Sequence, residues 1–73
     1  MRYADNNCIY TEVYTPEHTY TFKGLCITTG REHSVTVKGK DLFKYRQGEY
    51  IQNAFPYLSP QDREFLMSGC MWD

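Results

Sequence analysis

The feature that most constrains this chain is a change of periodicity at Gly39. Before it, Tyr, Thr, Val and Ile alternate with polar residues and turn formers. After it, Leu, Phe, Lys, Glu, Arg and Gln recur at helical spacing. A period of two places alternate side chains on opposite faces of a strand, whereas a period near 3.6 gathers them on one helix face. Strands followed by helices make a two-layer α+β domain. The expected architecture is a small three-stranded antiparallel sheet followed by two or three short helices packed on one face. At 73 residues the chain reads as a single small domain over 1–73. A core of that size supplies only ~3–5 kcal/mol, so the fold gains from a partner or an oligomer.

The strands are expected at roughly 8–15, 19–29 and 32–38. The first turn is Thr15-Pro16-Glu17-His18, with Pro16 suited to the second position of a type I turn. The second contains Gly30, which can adopt positive φ. On the first two strands odd positions carry Ile9, Val13, Leu25 and Ile27, and even positions carry Tyr10, Tyr14, Tyr20 and Phe22. An odd-length second loop adds Val35 and Val37 to the aliphatic side, giving one aliphatic face and one aromatic face. An even loop such as Gly30-Arg31 puts those valines with the aromatics instead. Burial favours the odd loop, with the helices seated on the aliphatic face. Thr11, Thr21 and Lys23 thin that face near the first turn.

Further on, Asp41 suits the cap of a helix carrying Leu42, Phe43 and Tyr45. A break falls at Gly48, and a second helical piece through Ile51 and Ala54 stops at Pro56. Ser59-Pro60-Gln61-Asp62 then supplies an N-cap, a proline at the first helical position and an acid near the positive helix end. The last helix turns Phe65 and Leu66 inward and ends before Gly69.

This half also carries a pattern, YxxGxxIQxAFPxLSxxxREFLxSGxC, spanning Tyr45, Gly48, Ile51-Gln52, Ala54-Phe55-Pro56, Leu58-Ser59, Arg63 to Leu66, Ser68-Gly69 and Cys70. It resembles a family of short proteins found in phages, plasmids and other bacterial sequences. The likeness covers about a third of the chain. It implies a phage or mobile-element setting rather than an activity. Most of its positions also read as caps, breaks and apolar anchors.

Composition narrows the chemistry. Eight Lys/Arg against nine Asp/Glu leave a formal charge of −1, which excludes a broadly basic nucleic-acid binder and a strongly acidic DNA mimic. Three widely spaced cysteines, Cys8, Cys26 and Cys70, argue against a disulfide framework and for a reducing cytoplasm. No apolar run reaches the ~18 residues of a membrane span. A thiol beside His18 or His33 would be needed for nucleophilic catalysis, yet no nucleophile elbow or cysteine-protease signature accompanies them. Paired zinc-ligand spacings and phosphate loops are missing too, so no catalytic residue, metal or cofactor is expected. The odd-length register would also separate Cys26 and His33 onto opposite faces.

Two surfaces remain. The aromatic row Tyr10, Tyr14, Tyr20 and Phe22, together with Arg31 in the second turn, is the expected partner-binding site, because tyrosines are enriched among interface anchors. The alternative is that the terminal helix or Trp72 folds over the row as core. Lys40, Lys44 and Arg46 around the first helix are candidate phosphate contacts, although a solvated helix face is the commoner explanation of such a cluster. The function expected is a non-enzymatic phage or mobile-element accessory protein that binds and inhibits a bacterial host protein, anti-phage defence included. A homodimer through the aromatic face is a further expectation, and a small single-stranded nucleic-acid binder is the alternative.

Overall fold

The computed structural model describes residues 1–69, and the expectations placed on Cys70 and Trp72 lie outside them. Seven elements follow in order: α1 (Arg2–Asn7), β1 (Ile9–Val13), β2 (Thr19–Leu25), β3 (Glu32–Lys38), α2 (Gly39–Arg46), α3 (Ile51–Ala54) and α4 (Pro60–Ser68). The strands form one antiparallel sheet in the order β1-β2-β3. The α+β architecture is therefore as expected. Among the described residues, no helix is long and apolar enough to cross a membrane.

The register departs from expectation in the second hairpin. β1 and β2 pair like with like, Tyr10 opposite Phe22 and Glu12 opposite Tyr20. β2 and β3 pair even with odd, Phe22 opposite Val35 and Tyr20 opposite Val37. The cause is the loop between Leu25 and Glu32, which has six residues rather than an odd number. It closes when the Cys26 N–H donates to the Arg31 carbonyl at 2.8 Å, with Gly30 at φ +72°. The Ile27 N–H is held in turn by the Gly69 carbonyl, at 2.8 Å, just past the end of α4.

That register sorts the faces differently. Phe22, Val35 and Val37 form the buried face, with Phe22 only 2% exposed. Each such side chain contributes ~1.5–3 kcal/mol of burial free energy. The other face gains Ser34 and Thr36 beside Thr11, Thr21 and Lys23, and this polar side is left open. Ile9 there is 78% exposed, and Val13 and Leu25 are exposed with it. The expected aliphatic core face is thus the solvent face, and the aromatic row sits on the side that carries the helices. Cys26 and His33 consequently fall on the same side, not on opposite ones.

Helices close that side. Leu42 of α2, Phe55 after α3, and Phe65 and Leu66 of α4 join Phe22, Val35 and Val37 in one core. α4 follows its sequence signals closely. Ser59 Oγ accepts the Asp62 N–H at 3.1 Å, Pro60 opens the helix, and Gly69 caps it at φ +78°. Gly48, at φ +112°, breaks the chain after α2, and α3 ends before Pro56. Asp41 does not cap α2. Lys38 occupies that position, and Asp41 lies buried in the first turn. The Thr15–Pro16 peptide is cis, which differs from the type I turn that the sequence predicts.

α1 has no counterpart in the sequence reading. It buries Ala4 in the core beside Met1, which precedes it, and Tyr3 sits edge-on to Phe65 at 5.5 Å while its hydroxyl donates to the Leu25 carbonyl.

Candidate functional site

The first hairpin carries a line of packed rings. Tyr14 stacks on His18, with centroids 5.0 Å apart and planes within 6°. His18 meets Tyr20 at 5.0 Å, Tyr20 meets Tyr10 at 5.9 Å, and Tyr10 meets Phe22 at 6.0 Å. Alternation along β1 and β2 puts Tyr10, Glu12, Tyr20 and Phe22 on this side.

Glu12 holds the line together. Its Oε2 accepts the Tyr20 hydroxyl at 2.9 Å and meets His18 Nε2 at 2.7 Å. An ionised carboxylate only accepts, so Nε2 carries the shared proton. These bonds, from His18 first and Tyr20 second, hold the Glu12 carboxyl below its ordinary pKa. Conversely, bonding to Glu12 raises the Tyr14 and Tyr20 phenols. Glu12 thus stays ionised through neutral and mildly acidic pH.

α2 faces this line across a groove of about 620 Å³, whose walls include His18, Tyr20, Lys38, Lys40, Phe43 and Lys44. Arg46 reaches both this groove and a neighbouring recess of about 360 Å³ lined by Tyr10, Glu12, Tyr20 and Phe22. The closeness of the walls depends on Gly39. Its N–H donates to the His18 carbonyl at 2.8 Å, and a Cβ there would lie 2.6 Å from His18 Nδ1. β3 ends at Lys38 and α2 begins at Gly39, so no connecting loop carries the helix away.

Charge in the groove is lopsided. Lys38, Lys40, Lys44 and Arg46 share it with a single carboxylate, Glu17. Arg46 also donates to Asp5 at 3.4 Å, and Lys38 sits 5.7 Å from the centre of the Tyr57 ring. Among the described residues, Lys40 and Lys44 have no ion-pair partner.

The structure therefore brings Tyr10, Tyr20, Lys40, Lys44 and Arg46 to one side of the molecule. Tyr14 stands at its rim, 68% exposed. Two residues of the expected partner surface fall elsewhere. Phe22 is core, because the even loop matched it with Val35. Arg31 lies in the β2–β3 loop, at the opposite end of the sheet from Tyr14. Sequence reasoning missed Glu12, His18 and Phe43. The cross-strand pairing of Glu12 with Tyr20 was implicit in the parity of the first hairpin.

The other chemical candidates are engaged in the fold. His33 Nε2 pairs with Asp62 Oδ1 at 2.8 Å and meets the Phe65 ring at 4.9 Å, tying β3 to α4. Cys26 is buried, and burial pushes the Cys8 thiol up. Among the described residues, no three His, Cys, Asp or Glu side chains are grouped as metal ligands.

Comparison with protein-family models, with curated proteins and with solved structures finds no match.

Proposed function

We propose that this chain is a non-catalytic interaction protein of phage or mobile-element type. It binds a bacterial host protein in the cytoplasm and inhibits it, with components of anti-phage defence as the first class of target to test. One observation carries the reading: the hairpin rings and the α2 cations, distant in sequence, open onto the same groove. Aromatic residues beside cations are what anchored protein interfaces use. The resemblance of the pattern from Tyr45 to Cys70 to short phage-borne proteins is what suggests the setting.

Affinity capture from host lysate tests it. Wild-type protein is expected to retain a saturable partner whose own activity falls on binding, and Tyr14→Ala/Phe43→Ala protein to lose it. Equal capture by the two proteins, or none by either, sinks the proposal.

A second reading is favoured by Lys40 and Lys44, which lack carboxylate partners among the described residues. It makes the groove a site for single-stranded nucleic acid. Its affinity would fall with salt at a slope set by the number of phosphates neutralised. No oligonucleotide binding at low salt eliminates it.

A further inference from the structure

We infer that the groove between the first hairpin and α2 takes an acidic segment of a protein partner, one that carries an apolar anchor side chain. The inference rests on the interaction reading above and names the chemistry the partner must present.

The geometry of α2 supplies both halves of such a site. Gly39, Asp41 and Leu42 are the buried positions of the helix, and Lys40, Phe43 and Lys44 are exposed. Lys40 and Lys44 stand one turn apart on the outer side, and Phe43 lies between them, 65% exposed. Among the described residues, no other ring packs against Phe43. The groove holds four cations against Glu17, although the chain as a whole is slightly acidic. A local positive field of that kind selects an anionic ligand. A volume of about 620 Å³ accommodates a few side chains rather than a folded surface.

The state of the rings separates a peptide from a nucleic-acid strand. A strand needs successive free ring faces on which bases stack. Tyr14 already stacks on His18, and Tyr20 is wedged between His18 and Tyr10 with its hydroxyl on Glu12. Phe22 is core. That leaves Phe43 as the one ring of the groove region without a ring neighbour among the described residues. One free ring flanked by two lysines matches an apolar side chain between carboxylates better than a run of bases.

The probe is a short fluorescein-labelled peptide of alternating Asp and Glu around a central Leu-Phe pair, followed by fluorescence anisotropy at low salt. The wild-type protein is expected to bind it, and a version with Ser in place of Leu-Phe to bind ~10-fold more weakly. Lys40→Gln and Lys44→Gln should each weaken binding ~3-fold, and both together ~10-fold. Lys23→Gln removes the same charge from the open sheet face and should change it by less than ~2-fold. Phe43→Ala should cost ~10-fold. Circular dichroism of each variant checks that it is folded.

Equal losses in Lys44→Gln and Lys23→Gln overturn the assignment, because attraction would then be general. Tighter binding of a thymidine oligonucleotide of matching length overturns it in favour of nucleic acid. Undiminished capture of a host partner by the Lys40→Gln/Lys44→Gln/Phe43→Ala variant leaves the interaction reading intact and removes the groove. Peptide binding with the expected pattern, but no captured host partner, supports the groove and removes the inhibitor reading.

Discussion

Gly39 decides how closely α2 approaches the hairpin. A glycine at the start of a helix is ordinarily improved by alanine, which gains up to ~1 kcal/mol from backbone entropy. Here the added Cβ would meet His18 Nδ1 at 2.6 Å and its neighbouring ring carbons at 3.0 Å. The ring is engaged by Tyr14 on one face and Glu12 at Nε2, so moving it aside gives up both contacts. Gly39→Ala is therefore expected to destabilise the protein by ~1–3 kcal/mol in urea unfolding. It should also disturb the His18 ring resonances. A stabilised variant would mean that the hairpin and α2 are not in contact through His18.

Tyr57 provides a second test at this scale. Its hydroxyl accepts the Lys38 N–H at 3.0 Å, and the Asp41 carboxylate acts on the same phenol. Burial, followed by the Asp41 carboxylate, pushes the phenol up to about 12, from an ordinary value of about 10. The folded chain then holds this proton more tightly than the unfolded chain. Its contribution to stability is complete below pH ~10 and is lost as pH rises from there through about 12. Tyr57→Phe should lose the last tyrosine step in an ultraviolet titration, and its stability should fall less steeply over that window. Parallel alkaline losses in the two proteins would refute the assignment.

Among the elements, the β2–β3 register determines which side of the sheet is core. Val37 and Val13 are chemically identical, yet one is buried at 1% exposure and the other lies on the open face. Val37→Ala is expected to cost ~2 kcal/mol, whereas Val13→Ala should cost well under ~1 kcal/mol. Denaturant midpoints measured side by side decide it. The odd-loop register would have made both costly. This pairing was not legible in the sequence. A one-residue change in loop length inverts every β3 side chain, and the six-residue loop is fixed partly by a carbonyl from Gly69, some 40 residues away. α4, in contrast, was readable nearly to its last residue, since Ser59, Pro60 and Gly69 act on their own neighbours. α1 was not, because Arg2 to Asn7 is short and rich in weak helix formers and is held by Tyr3 and Ala4 against the core. The site shows the same division. The tyrosines and the lysines were each visible, but their meeting depends on how α2 leaves β3.

For the molecule as a whole, one side of a three-stranded sheet must supply nearly all the stability. The open side carries a Thr21–Thr36 hydroxyl bond at 2.8 Å and the exposed Lys23–Glu32 pair at 3.4 Å, and neither contributes much. With a core worth only ~3–5 kcal/mol, loss of any covering helix should unfold the chain rather than loosen one corner. α1 is the sharpest place to test this, since only six residues make up this helix and it lies directly against α4 and β2. Ala4 is 1% exposed, while Asn7 on the same helix faces solvent. An aspartate at Ala4 would bury a charge without a partner, at a cost of at least ~3 kcal/mol. Ala4→Asp is thus expected to abolish cooperative thermal unfolding and the dispersed signals of Phe65 and Phe22 together. Asn7→Asp adds the same charge and should shift Tm by no more than a few degrees. If Ala4→Asp instead melts cooperatively with the sheet signals intact, α1 is an appendage and the core is complete without it. The groove between α2 and the hairpin should disappear with the fold in that variant, because its walls come from the elements on either side of the shared core.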